Sequence, residues 1–282
     1  MHRLWNIWNA NGEVKINDRY TLQGFSVAGF RTNFYIKELS LMFDAGLCSN
    51  FNATHIFLTH SHCDHIMNLP SHLMTKLSIQ RKIYCPKSAV EHIDAYIRSL
   101  FVATNGGKDT WHRRNHTTVG IENYDFFDIV VKNQRLIVEV IKCDHSVYSV
   151  GYGFISTKKK LKPSLIGSKN IRNLSDGEKY DFTPCYEFCF IGDTSCDVLN
   201  DEALERYQSV IIECSFLYEE HIERSIKTKH MHWQQLKPFV LSHPLQQFFL
   251  YHFSARYSPQ QIVDFFQTEN VVNVVILANE KE

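Results

Sequence analysis

The chain has 282 residues, 44% of them apolar and 13% aromatic, which excludes wholesale disorder and supplies enough material for one large core or two modest domains. Thirty Lys and Arg balance thirty Asp and Glu, so a globally basic nucleic-acid surface is excluded and any such surface must be local. No run of about 18 apolar residues occurs, so no membrane span is expected.

The opening MHRLWNIWNA lacks the pattern of a secretory signal, so an intracellular setting, cytoplasmic or nuclear, is expected. Eight scattered cysteines, none in Cys-x-x-Cys, read as reduced thiols. Short apolar runs then predict strands at Phe34–Lys37, Leu41–Phe43 and His55–Leu58. Val90, Ile93, Ile97 and Leu100 mark a helix within 87–104. Further strands are predicted at Leu136–Ile141, Tyr186–Ile191, Ser209–Ile212 and Val271–Leu277. Ser258, Pro259 and Gln261 supply an N-cap, a first-turn proline and a capping-box partner for a helix over 258–268. The alternation predicts an α/β protein.

Two stretches are basic. Lys76 to Arg114 also holds Arg81, Lys82, Lys87, Arg98, Lys108 and Arg113, and partly overlaps the predicted helix. Residues 157–180 hold seven Lys or Arg against two acids. That segment reads either as a solvated loop or as an insertion that grips phosphates.

The densest chemistry lies at His60-Ser-His-Cys-Asp-His65, directly after an apolar strand. In extended chain alternate side chains share a face, so His60, His62 and Asp64 are expected to converge, with His65 following from the next turn. Imidazole and carboxylate suit zinc, and an open coordination position makes such a site catalytic. Four donors are too few for two metals. His145, Asp193 and His252 each lie just beyond an apolar run and are the further candidates.

With these residues assembled, the sequence resembles the metallo-β-lactamase superfamily and, within it, ribonuclease Z (tRNase Z), in its short form of eukaryotic, plant-like type. The resemblance runs from GFSVAGFRTNFYI and LMFDAG through the His60 cluster, His145-Ser-Val-Tyr-Ser-Val-Gly-Tyr152 and Gly192-Asp-Thr194. Glu213-Cys-Ser-Phe216, His230-Met-His232 and His252-Phe-Ser-Ala-Arg-Tyr257 carry the narrower likeness. It implies a four-layer αβ/βα sandwich, formed by residues 1–282 as a single domain with a basic arm-like insertion at about 157–180.

The resemblance further implies that His60, His62 and His145 hold one Zn2+, that Asp64, His65 and His252 hold a second, and that Asp193 bridges them. Mn2+ or Mg2+ are alternatives. The implied reaction removes the 3′ trailer from precursor tRNA, leaving a 3′-hydroxyl on the tRNA and a 5′-phosphate on the trailer. Asp64 would also orient or deprotonate the attacking water. His230, paired with Glu213, would be the general acid. Lys158, Lys159, Lys160 and Lys162 would clamp the tRNA body. Ser254 and Arg256 either contact the acceptor end or brace their loop. A homodimer, with one subunit's arm reaching RNA at the other, is implied as well. The competing readings are a phosphodiesterase for small or cyclic nucleotides and a non-catalytic RNA-binding relative.

Overall fold

The structure, a computed structural model, describes residues 3–4, 13–74, 77–166 and 174–278. Most of the opening decapeptide, Lys76 and the middle of the basic segment lie outside them. In chain order the strands are β1 (Arg3–Leu4), β2 (Glu13–Lys15), β3 (Thr21–Val27), β4 (Arg31–Ile36), β5 (Leu41–Phe43), β6 (His55–Phe57), β7 (Arg81–Pro86), β8 (His116–Ile121), β9 (Phe126–Val131), β10 (Gln134–Cys143), β11 (Ser149–Leu161), β12 (Tyr180–Phe190), β13 (Ser209–Glu213), β14 (Gln247–Tyr251) and β15 (Val274–Ala278). The helices are α1 (Cys63–Ile66), α2 (Leu69–Met74), α3 (Val90–Thr104), α4 (Asp176–Lys179), α5 (Ala203–Arg206), α6 (Ile222–Thr228), α7 (Trp233–Ser242) and α8 (Pro259–Glu269).

Strands β2 to β8 form one sheet in sequence order. The other runs β1-β15-β14-β13-β12-β11-β10-β9. Strict alternation on the inner strands generates four layers. Ile211, Phe249 and Tyr251 point into the core between the sheets, whereas Val210, Ile212, Phe248 and Leu250 point outward onto Trp233, Leu236, Ile262 and Phe266 of α7 and α8. On the opposite outer face Ile93, Ile97 and Phe101 of α3 cover Ile56 and Ile83. The sheets interlock through Phe43 and Phe190, stacked with centroids 4.5 Å apart. Such a pair adds roughly 0.5–1.5 kcal/mol beyond its area burial.

The predicted strand at Leu41–Phe43 and the helix opened by Ser258 stand where the sequence puts them, the latter with its capping box formed. Residue 101, not 100, completes the buried face of α3, because 3.6 residues per turn carry Phe101 beneath Ile97. The larger difference is in segment 157–180. Its flanks are paired strand rather than loop: β11 and β12 continue as an antiparallel pair from Tyr152↔Phe190 out to Leu161↔Tyr180. The chain leaves the core as a two-stranded ribbon, closed on the α4 side by the Ser175–Glu178 capping box.

Candidate metal centre

β6 ends at Phe57, and the chain stays extended to His62, whose φ of −65° and ψ of 149° make it the N-cap of the one-turn α1. Simple alternation therefore accounts for His60 and His62 but not for Asp64. Asp64 and His65 are delivered by the helical turn and face a different set of donors. His60, His62 and His145 form one group. Asp64, His65 and His252 form another. Asp193 joins His60 and His65 in a third group that lies between them. Gly46 makes this turn possible: a Cβ there would stand 1.7 Å from the Asp64 carbonyl oxygen.

The donor atoms converge. His60 Nε2 and His145 Nε2 lie 3.1 and 3.2 Å from His62 Nδ1. His65 Nε2 lies 3.3 Å from His252 Nε2 and 3.3 Å from Asp193 Oδ2. Asp64 Oδ2 stands 3.4 Å from His252 Nε2. Tetrahedral ligands with bonds of ~2.0–2.1 Å are separated by about 3.3–3.4 Å, so these spacings fit cations between the donors.

The far side of each ring explains its orientation. His65 Nδ1 donates to Asp44 at 2.8 Å, His60 Nδ1 to the Thr59 hydroxyl at 2.9 Å, His145 Nδ1 to the Lys229 carbonyl at 2.9 Å and His252 Nδ1 to the Ser215 hydroxyl at 3.1 Å. With Nδ1–H committed outward, each Nε2 lone pair is left facing the cluster. His62 is the exception and presents Nδ1. Asp193 Oδ1 is buried with no hydrogen-bond partner, an arrangement that is expensive unless a cation completes it. The residues therefore fit a divalent metal. Two residues of the site, the ligand candidate His252 and the supporting Asp44, occupy strained backbone at φ 61° and φ 56°.

Burial drives the His60 imidazole well below its ordinary range and lowers His62 and His145, so all three stay neutral and available as ligands. Burial also opposes charge on Asp64, but the close approach of His252 and His65 outweighs it and holds the carboxyl at about 2. The Gly29 N–H, at 2.9 Å from Asp64 Oδ2, adds to that preference.

The pair predicted beside the metals is formed. His230 Nδ1 lies 2.8 Å from Glu213 Oε1 and 3.9 Å from Asp193 Oδ2. Burial pushes His230 down, but the Glu213 carboxylate and its hydrogen bond prevail and raise it to about 9. His232 has a different task. Its Nδ1 accepts the Gln234 N–H to cap α7, and its Nε2 donates to the Tyr218 carbonyl.

The predicted RNA-contacting residues divide. Ser254 and Arg256 lie at the edge of the cluster, Arg256 donating to the Ser254 hydroxyl at 3.2 Å and standing 5.7 Å over the Phe216 ring. Lys158 and Lys160 are exposed on the ribbon. Lys159 is engaged with Asp176 at 2.6 Å and Lys162 with the Gly177 carbonyl at 2.8 Å, so these two hold the ribbon together. In the other basic stretch, Arg81 is buried, Lys87 pairs with Glu122 and Arg98 with Asp109. Sequence reasoning missed Asp44, Thr59, Ser215 and Gly29. Only Asp44 left a signal, a carboxylate directly after the apolar Leu41–Phe43.

No family model matches the chain. Two solved structures share its fold at low identity. The human tRNase Z short form, ELAC1, superposes with a TM-score of 0.60 over 92% of this chain and 97% of its own, at 14% identity. YhfI of Bacillus subtilis, described as a metallo-beta-lactamase fold protein, gives 0.60 over 94% and 99%, at 12% identity. The sandwich with its histidine and aspartate cluster is thus a metallo-β-lactamase fold. Among curated proteins, tRNase Z TRZ1 of Arabidopsis thaliana is 30% identical over 264 residues, covering 87% of this chain and 89% of the relative. The chain belongs to the tRNase Z family.

Proposed function

We propose that this protein is a metal-dependent endoribonuclease that removes the 3′ trailer from precursor tRNA. The observation that carries the reading is the Glu213–His230 hydrogen bond, 2.8 Å long, set against a seven-donor cluster in a chain of this family. We assign His60, His62 and His145 to one Zn2+ and Asp64, His65 and His252 to another, with Asp193, which stands beside both His60 and His65, between the two sets. A bound metal pair supplies a nucleophilic water at neutral pH and offsets charge on the phosphoryl oxygens. Asp64, ionised far below neutrality, orients that water. As water adds to phosphorus and the P–O3′ bond breaks, the departing ribose oxygen needs a proton. His230 is charged at neutral pH and supplies it, while Glu213 holds the ring by Nδ1.

The ribbon supports a role in holding RNA away from the cleavage point. Ser149 lies beside the cluster, its hydroxyl 2.9 Å from the Asp193 carbonyl, and Leu161 lies at the other end of β11. At ~3.3 Å per residue the two are about 40 Å apart. A ribbon so placed reaches the body of a tRNA, or RNA engaged by a second subunit, which favours the homodimer. A core drawn from both sheets supports one domain bearing that ribbon. No helix among the described residues is long and apolar enough to cross a membrane. The eight unpaired thiols support a reducing intracellular compartment. Incubation with a 3′-extended precursor tRNA, with and without chelator, tests the assignment. The expected result is a single metal-dependent cut leaving a 3′-hydroxyl and a 5′-phosphate. Binding without cleavage in protein replete with metal would sink it.

A further inference from the structure

Two cavities of opposite character lie on either side of the His145–His230 region. The larger, of about 700 Å³, begins at Asp144 and is walled by Glu139, Asp144, Asp197, Asp201 and Glu202 against the two cations Lys142 and Arg206. On the His230 side lies one of about 260 Å³ walled by Ser215, Arg224, Thr228, His230, Ser254 and Arg256. The smaller one holds two guanidinium groups and no carboxylate. It falls below the ~300–1,000 Å³ of drug-sized pockets, so it suits one phosphoribose rather than a helical stem.

The two arginines stand on separate elements. Arg256 is fixed by Phe216 and by one hydrogen bond to Ser254. Arg224 lies on α6, and among the described residues no hydrogen bond or ion pair involves its guanidinium. Its position is nevertheless tied to the general acid. The neighbouring Ser225 carbonyl accepts the His230 N–H at 3.0 Å, and Lys229 N–H donates to Ile226 in the same turn. Arg224 and His230 thus belong to one short rigid unit, and most of the ten guanidinium N–H groups remain free for an acceptor.

We propose that Arg224, acting with Arg256, binds the phosphate on the 5′ side of the nucleotide whose 3′-oxygen leaves, and so fixes which linkage is cut. The inference rests on the reading of this protein as a precursor-tRNA endonuclease. The leaving oxygen must lie beside His230, so the nucleotide that carries it occupies the His230-side cavity. Its other phosphate then falls among the arginines, because the opposite cavity carries five carboxylates against two cations and disfavours a polyanion. A planar fork reads the two free oxygens of a diester in a bidentate manner, with charge-assisted hydrogen bonds.

The test uses metal-replete protein and precursor tRNA in which that single linkage is a neutral methylphosphonate, with single-turnover rates and cut positions as readouts. Wild type is expected to lose about tenfold or more on the neutral linkage, the scale of a hydrogen bond to a charged group. Arg224→Ala should lose a similar factor on the unmodified precursor, add cuts at neighbouring linkages, and lose clearly less than the wild-type factor further on the methylphosphonate, the remainder being the share of Arg256. Arg224→Lys should fall between, since it keeps the charge but not the fork. If Arg224→Ala suffers the full additional loss at the methylphosphonate, or if wild type is insensitive there and sensitive at the trailer linkage instead, Arg224 does not bind this phosphate. A wild type that leaves unmodified precursor uncut overturns the endonuclease reading and this inference with it.

Discussion

The two ends of the β11–β12 pair are built on opposite terms. At the metal-centre end, Asp193, Glu213, His60, His65 and His252 are almost wholly buried, and the rings of His60, His65 and His252 are each gripped from behind by a named partner. At the ribbon end the strands are exposed on both faces, and the contacts are backbone ladder, the Lys159–Asp176 ion pair and the Lys159 ammonium against the Tyr180 and Phe182 rings. Exposed pairs contribute little, with a median of about 0–1 kcal/mol. The buried end is over-determined and intolerant of change; the ribbon can be altered without disturbing the core.

The comparison fails first if Asp193 proves dispensable. Asp193→Ala should abolish cleavage, by ~10³-fold or more, and lower metal content; activity with normal metal occupancy would mean that Asp193 does not join the two groups. Next comes His230→Ala, expected to cost ~10²–10⁴-fold in single-turnover rate with metals retained. The sign of its pH effect follows from its shift. A group raised from 6.5 to about 9 keeps its proton through neutrality and gives it up as pH rises toward 9. Wild type should therefore show an alkaline fall in rate at or below that point, since bound cations oppose the imidazolium, and His230→Ala should lack it. The ion pair with Glu213 likewise stabilises the fold fully below 6.5 and is lost as pH rises through about 9.

Asp44→Ala removes no proposed ligand but leaves His65 Nδ1 and Thr59 without their acceptor. Metal affinity should fall ~10–100-fold, read by chelator competition. The smallest effect belongs to the ribbon. Replacing Lys158 and Lys160 by Ala should weaken precursor binding and reduce the salt slope by about one for each phosphate that a lysine no longer neutralises. An unchanged slope would remove those lysines from the RNA path.

All seven proposed ligands are legible in the sequence because each is a charged or imidazole side chain placed just past an apolar run, a pattern visible without tertiary contacts. Ser215 and Thr59 are not legible. A lone hydroxyl becomes part of the site only when folding brings His252 or His60 against it. β11 escapes a reading by pattern because its first eight residues are buried on both faces and show no alternation. Its Gly151 and Gly153 also break the apolar run; a Cβ at Gly153 would meet the Tyr207 hydroxyl at 1.9 Å. β14, with the sequence QFFLY, is too short, and after Gln247 too continuously apolar, to be told from a helical segment by period alone. The ribbon hides behind its lysines, whose charge reads as loop although backbone pairing continues beneath them.

The ladder that joins Tyr152 to Phe190 also pairs Leu161 with Tyr180, and this makes the reach of the ribbon adjustable by simple increments. Adding one residue to each strand advances the tip by ~3.3 Å but turns its side chains to the opposite face, whereas adding two to each advances it by ~6.6 Å with the facing restored. Changes of length that keep Lys158 and Lys160 on their present side therefore come in even steps. Across relatives, ribbon span should be quantised in pairs while the spacing from Phe190 to Asp193 stays fixed.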